Sequence, residues 1–431
     1  MLLRSAALGA ASGLVTLTFT AAKSVAAEPT ETECGFSIVA LGDDRPMMYL
    51  PYKQGQAEIE KLLVEMFELV LPQEVAKEVV RRDAKLTFDP VTKDLIQIDM
   101  PLGRERYQLK LDAGWVTECS VEGIKRFAGV RTTIFHLYGG AWVGREAVHQ
   151  VRSGRAKFIV DTGDVVWWGG QGRAVDKSPY WKRFNDTLLS QLPPPDEEMR
   201  AAGLKGRYFL SVGNHEVWGD PEIQGLLSAV PYLREFGVTP ERLIYTFDFG
   251  GVRFVFLWSG KYDYRSPSLW DADRPKYAAQ MQQMQQWLDE AKSKGIRKAF
   301  IFFHYPVFAR SGLGPIPERD NPHKIIAQYG KDMEVIVFNG HVHTTEIYEA
   351  DGVKYLMLGG GGAEQDPILP GHSRIKVAAD YPPDLYWKGA PREEEYNYTL
   401  VDVQPGKETK FTLNRFRPGS ADPFATVELF K

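Results

Sequence analysis

Apolar and polar residues alternate along this chain in blocks that read as buried strands separated by helices. Ser37–Leu41, Lys157–Val160, Tyr208–Val212, Ala299–Phe303 and Glu334–Phe338 are short runs rich in β-branched and aromatic residues. Each stops at a glycine or a polar residue. Continuous apolar runs of that length suit strands covered on both faces. Tyr245–Phe249 and Val252–Trp258 flank Gly250-Gly251 and predict a hairpin. Between strands the period changes. Tyr277–Ala291 puts Met281, Met284 and Leu288 on one stripe and predicts a helix, with Trp142–Arg152 and His323–Tyr329 as shorter candidates. Strands alternating with helices predict an α/β core.

Residues 50–130 break that rhythm. Ile59–Val70 is amphipathic, and Pro72 starts a second helical pattern ending near Arg82. Leu86–Phe88 and Leu95–Ile98 flank Asp89-Pro90-Val91-Thr92-Lys93, a hairpin signal, and Tyr107–Leu111 adds a strand. The segment reads as an inserted α+β subdomain. The tail from Tyr396 to Lys431 alternates as strands that close the fold. At the other end, Met1–Arg4 is a short basic start, Ser5–Ala22 carries no charge, and Val25-Ala26-Ala27 offers a cleavage site. The weakly apolar stretch favours a cleaved secretory signal over an uncleaved anchor. The expected organisation is a signal peptide over 1–27, a main domain over 28–49 and 131–431, and the insertion over 50–130.

Composition narrows the choice of class. The 431 residues are 44% hydrophobic and 25% charged, ordinary for a globular protein and unlike a disordered or polytopic membrane chain. A formal net charge of −4 argues against a nucleic-acid partner held by bulk electrostatics. Export would put Cys34 and Cys119 in an oxidising compartment, where they could pair; two buried free thiols are the alternative. Asn185-Asp186-Thr187 and Asn397-Tyr398-Thr399 match glycosylation sequons, meaningful only in a eukaryotic secretory pathway.

The chemistry emerges when the strand ends are aligned. They read Gly42-Asp43-Asp44-Arg45, Gly163-Asp164-Val165-Val166-Trp167, Gly213-Asn214-His215-Glu216, His304-Tyr305-Pro306 and Asn339-Gly340-His341-Val342-His343. Taken singly, a Gly-Asp after a strand is a turn, and His304 is a hydrogen-bonded core residue. In order, they place carboxylate, amide and imidazole groups beyond the carboxyl ends of five strands, where α/β sheets collect ligands. That donor mix suits zinc, manganese or iron.

These motifs resemble those of the calcineurin-like metallophosphoesterases, a superfamily that includes the purple acid phosphatases. The glycine-rich turn Gly359–Gly362 and the hairpin around Gly250-Gly251 are also similar. The resemblance covers about 36–44 and 155–365 and leaves out the insertion. It implies a four-layer α/β/β/α sandwich with a binuclear metal centre holding two divalent or trivalent ions (Mn, Zn or Fe). Carried over residue by residue, Asp43, Asp164 and His343 hold the first metal, and Asp164, Asn214, His304 and His341 the second. Asn214 also orients a phosphate oxygen, and His215 stabilises the transition state or protonates the leaving oxygen. Two positions depart from the family pattern. Arg45 stands where a histidine ligand is common, and Trp167 where purple acid phosphatases carry a tyrosine ligand. Arg45 is instead a candidate phosphate clamp or the partner of Asp44 in a surface ion pair. Asp44, Tyr138 and His136 are further candidates for the first metal. Trp168 and Trp218 either wall the site or are ordinary packing residues.

The implied function is a secreted or periplasmic phosphoesterase that hydrolyses small phosphate monoesters with a metal-activated water. It would have no nucleic-acid partner and no stable membrane anchor after signal cleavage. A phosphodiesterase on the same site, and a non-catalytic metal- or phosphate-binding member of the fold, are the alternatives.

Overall fold

The apolar runs become the strands of two six-stranded sheets. The computed structural model describes residues 35–44, 85–91, 95–102, 105–112, 115–123, 143–166, 169, 181, 184–185, 188–259, 267–309, 316, 321–362, 396–416 and 423–430. Contacts divide the chain into Met1–Glu33 and Cys34–Lys431, and every described residue belongs to the second unit. The proposed signal segment, Cys34 and the two helical patterns between Ile59 and Arg82 lie outside the described residues, as does the side chain of Cys119.

The strands are β1 (Phe36–Leu41), β2 (Lys85–Phe88), β3 (Leu95–Leu102), β4 (Glu105–Asp112), β5 (Trp115–Gly123), β6 (Ile159–Asp161), β7 (Tyr208–Leu210) and β8 (Tyr245–Phe249). They continue with β9 (Val252–Phe256), β10 (Lys298–Phe302), β11 (Glu334–Asn339), β12 (Thr345–Ala350), β13 (Val353–Leu358), β14 (Tyr396–Val403), β15 (Lys410–Phe416) and β16 (Ala425–Leu429). One sheet runs β16-β15-β14-β1-β6-β7 and the other β12-β13-β11-β10-β9-β8. In the first, β1, β6 and β7 are parallel, and the predicted tail strands extend it antiparallel from β1. In the second, β9, β10, β11 and β13 are parallel, with β8 and β12 as antiparallel edges.

The sheets face each other through aromatic side chains. Phe158, fully buried just before β6, packs edge-on against Phe209 in its own sheet and Phe247, Phe249 and Phe254 in the other, with centroids 5.4–6.1 Å away. Phe338 and Phe411 meet across the same gap. Such rings carry much of the buried apolar area, and edge-on pairs add to it. Helices cover the outer faces. The helix over 143–152 lies on the crossover from β1 to β6, with Glu146 beside Tyr398 of β14. Helix Pro267–Ser293 lies against β9 and buries Tyr277, Met281, Met284, Leu288 and Ala291 at helical spacing. The result is a mixed α/β fold layered helix, sheet, sheet, helix.

Several local expectations shift. The long helix starts at Pro267 rather than Tyr277, because Asp271, Asp273, Arg274 and Pro275 break the apolar stripe without breaking the helix. The helix expected over His323–Tyr329 closes at Ile326. In the 50–130 segment a four-stranded antiparallel sheet, β2-β3-β4-β5, is formed, and β5 had no counterpart in the sequence reading. Its Ile98 is fully buried within the main apolar cluster. The Asn397 sequon lies inside β14, where Asn397 and Thr399 are both buried and enclosed by β1 and β15, so it is no surface loop. No helix among the described residues is long and apolar enough to cross a membrane.

Candidate metal centre

The carboxyl ends of parallel strands from both sheets meet at one seam. Asp43 follows β1, Asp164 follows β6 and Asn214 follows β7; His304 follows β10, and His341 and His343 follow β11. Backbone bonds close the seam. The Asp43 N–H donates to the Gly163 carbonyl at 3.1 Å, and the Gly361 N–H donates to the Gly42 carbonyl at 3.0 Å.

Four side chains converge on one point. His304 is fully buried. Its Nδ1 donates to the Thr162 carbonyl at 2.9 Å, which fixes the tautomer and turns Nε2 inward. That Nε2 lies 3.0 Å from Asn214 Oδ1 and 3.1 Å from Asp164 Oδ2. His341 Nδ1 lies 3.2 Å from the same Asn214 oxygen. The ligand atoms of Asp164, His304 and His341 all fall within 4.8 Å of one another. Ligands about 2.1 Å from a tetrahedral cation stand about 3.4 Å apart. The three contacts at 3.0–3.2 Å are slightly tighter than that, and the remaining ligand-atom spacings stay within 4.8 Å. Carboxylate, amide oxygen and two imidazoles fit a borderline divalent cation.

The backbone is strained where these ligands sit. Asp43, Asp164 and His341 have φ of 53°, 61° and 68°. Left-handed backbone costs a non-glycine residue of order 1–3 kcal/mol and persists only where the surroundings enforce it. Glu216 is the enforcing group for Asp164. Its buried carboxylate accepts the N–H groups of Gly213 at 2.7 Å, Val165 at 2.8 Å and Asp164 at 2.9 Å. Asp164 Oδ1 in turn accepts the His215 N–H at 2.9 Å. Asp161 supports the same turn from below, accepting the Gly163 N–H at 2.7 Å and the Tyr208 hydroxyl at 2.6 Å. Gly163 adopts φ 98°, and a Cβ there would stand 2.7 Å from the Gly213 nitrogen. Across the seam, Asn339 Nδ2 donates to the carbonyls of Phe303 and Tyr305 and holds the His304 turn.

The other half is built from Asp43 and His343, whose Oδ1 and Nε2 are 3.6 Å apart. Asp44 is buried beside Asp43, and among the described residues neither of its carboxylate oxygens has a hydrogen-bond partner beyond its own backbone N–H. The carboxylates of Glu216, Asp43 and Asp164 are charges close enough to act on it.

This crowding of acids sets the electrostatics. Burial, then the Asp164 charge, pushes Glu216 up to about 7. Burial raises Asp44, with Glu216 and Asp43 adding to it, and raises Asp161, with Asp44 next. Burial resists charging of His304, but the carboxylates of Asp164, Asp43 and Glu216 outweigh it and push the imidazole up to about 9. A cation at the convergence point would relieve the same surplus of negative charge.

His215 is nearly buried, with Nε2 3.6 Å from Asp164 Oδ2 and its ring packed on Trp218 at 4.1 Å between centroids. Among the described candidates, the seam thus brings together Asp43, Asp164, Asn214, His215, His304, His341 and His343. Arg45, Trp167, Trp168, Tyr138 and His136 lie outside the described residues. The sequence reading gave no role to Glu216, Asp161, Thr162 or Asn339. Half of the Glu216 contact was available, because a Glu three residues after an N-cap commonly reaches back to the cap N–H. The others carry no local signal.

Residues 132–345 match the model of the calcineurin-like phosphoesterase family. Asp43 lies before the matched segment and the Gly359–Gly362 turn after it. No curated protein sequence matches the chain. Among solved structures it is similar to a purple acid phosphatase from yellow lupin (Lupinus luteus) seeds, at 15% identity and a TM-score of 0.42. That match covers 67% of this chain and 49% of the lupin chain, so it spans about half of the plant protein's length. The chain is also similar to a dimetal phosphatase from Danio rerio, at 12% identity, a TM-score of 0.44, and 91% and 98% coverage of the two chains. A third likeness is to the anchor in the inner membrane complex of Plasmodium, at 12% identity, a TM-score of 0.37, and 68% and 84% coverage.

Proposed function

We propose that this protein is an exported, metal-dependent phosphoesterase acting on small phosphate monoesters. The observation that carries the reading is the convergence of Asp164 Oδ2, Asn214 Oδ1, His304 Nε2 and His341 Nδ1. In this reading those four residues hold one ion, and Asp43, Asp164 and His343 hold another, with Asp164 shared; manganese, zinc and iron are the candidates. Bound there, the pair would lower the pKa of a water and offset charge on the phosphate oxygens.

The chain's own residues orient the ester and move the proton. Asn214 Oδ1 faces the histidines, so its Nδ2 is the atom that can donate to a phosphate oxygen. His215 sits beside that amide with its ring held by Trp218, and it supplies a proton to the leaving oxygen or a hydrogen bond to the transition state. Arg45 grips two phosphate oxygens in this proposal. Export rests on the small-residue site before Glu28, and intact mass of the secreted protein tests it.

Turnover of an aryl phosphate and of a bis-aryl diester, each with manganese, zinc or EDTA, tests the activity. Metal-dependent monoester cleavage that exceeds diester cleavage is the expected result. A diester preference moves the protein to the phosphodiesterases, and tight metal binding with no turnover makes it a binding member of the fold.

A further inference from the structure

A buried asparagine outside the family segment ties together the two loops that carry Asp43 and His343. Asn397 lies on β14, whose register with β1 pairs Thr399 with Ala40. Continuing that register sets Asn397 across from Gly42, the residue before Asp43. Its side-chain Oδ1 accepts the Thr345 hydroxyl at 2.8 Å. Thr345 follows His343 by two residues and opens β12, where it pairs with Leu358 at the edge of the glycine turn. The Asn397 N–H donates to the Gly360 carbonyl at 2.8 Å, and the Gly359 N–H donates to the Thr344 carbonyl at 3.0 Å. The turn then reaches Gly42 through the Gly361 N–H. Glycine is required along this path: a Cβ on Gly360 would fall 2.2 Å from Asn397 Nδ2, and one on Gly361 would fall 2.4 Å from the Gly42 carbonyl oxygen.

Of the groups around the other ion, Asp164 and His304 are held away from this joint, while His341 shares the loop of His343. Asp164 is fixed by Glu216, and His304 by the Thr162 carbonyl and Asn339. The Asp43–His343 pair spans the seam on the side where Asn397 works, and these two residues follow strands of opposite sheets.

We propose that Asn397, through Thr345, is a positioning residue for the Asp43–His343 pair and selectively sets the affinity of the ion those residues hold. The inference rests on the two-ion reading above. In the native chain, Asn397 fixes the distance between two ligands supplied by different sheets. Breaking the Thr345–Asn397 bond lets one slide relative to the other and leaves the Asp164–Asn214–His304–His341 shell in place.

Calorimetric titration of metal-stripped full-length protein with Mn²⁺, alongside circular dichroism, tests this on wild type, Asn397→Ala, Thr345→Val and Thr345→Ser. Wild type is expected to bind two ions. Asn397→Ala and Thr345→Val should keep one binding event within about twofold and weaken the other at least tenfold, while Thr345→Ser, which retains the hydroxyl, should resemble wild type. Equal weakening of both events in Thr345→Val would mean general structural damage and overturn the proposal, as would two unchanged events. If Asn397→Ala fails to fold, the Thr345→Val and Thr345→Ser pair decides. Fewer than two ions in wild type would overturn the two-ion reading itself, an outcome distinct from unchanged binding in the variants.

Discussion

Glu216 and Asp164 hold each other's loops: Glu216 Oε2 accepts the Asp164 N–H at 2.9 Å, while Asp164 Oδ1 accepts the N–H of His215, next to Glu216, at 2.9 Å. Because Glu216 also accepts from Gly213 and Val165, one carboxylate sets the backbone of both the Gly-Asp and the Gly-Asn-His-Glu turns. Replacing it with Gln would turn an amide N–H₂ towards N–H donors. Glu216→Gln should therefore lose about 2 kcal/mol or more of stability and weaken metal retention, although Glu216 is not in either ligand set. Urea unfolding with and without added metal checks both parts.

His304 and His215 should separate binding from turnover. His304→Ala removes a nitrogen from the convergence point and should abolish binding of that ion together with activity. His215→Ala should leave metal content near wild type and slow turnover roughly 10²-fold or more. Elemental analysis paired with steady-state rates on an alkyl phosphate distinguishes the two; full turnover by His215→Ala would exclude the proton-donor role.

Phe158 is the aromatic hinge between the sheets, touching Phe209, Phe247, Phe249 and Phe254 from a fully buried position. Phe158→Ala should cost about 3–5 kcal/mol, and Phe158→Leu considerably less. The denaturation midpoint of each variant gives the answer.

Asp196 caps helix Glu197–Ala201, accepting the Met199 N–H at 3.0 Å and lying 3.2 Å from Lys157 Nζ and Arg207 Nη2. Burial pulls the other way, but the Met199 N–H and the two cations hold its carboxyl below the usual 3.8. A carboxyl depressed in the folded state stabilises above its unfolded pKa, and that contribution disappears as pH falls through the folded value. Asp196→Ala should cost about 1 kcal/mol at pH 7, mostly from the lost cap, since half-exposed ion pairs add little. The gap to wild type should narrow below about pH 4 as Asp196 is protonated in the wild type. Melting curves between pH 3 and 7 test the sign: a gap that widened on acidification would contradict it.

Much of the candidate site was legible because its chemistry is local. A short apolar run that ends in Gly-Asp or Gly-His specifies a strand and what it delivers at its carboxyl end, and Asp43, Asp164, Asn214, His304, His341 and His343 all occupy such places. The stripe Met281–Met284–Leu288 was legible for the same reason. Its start at Pro267 was not, since a helix can continue through charged residues that leave no periodic mark.

The sequence by itself determined the parallel core strands β1, β6, β7, β10 and β11, the kinds of side chain at their ends and the apolar runs that pack together. Tertiary structure alone decided that the β1 and β13 ends meet through Gly42 and Gly361, that Glu216 spans two turns, and that Asn397 is a buried joint rather than a glycosylated loop. The physical reason is range. A strand or a turn is favoured by residues within a few positions of one another, whereas Thr162–His304, Thr345–Asn397 and Asp43–His343 join residues far apart in the chain, and only the packing of one sheet on the other brings them within reach.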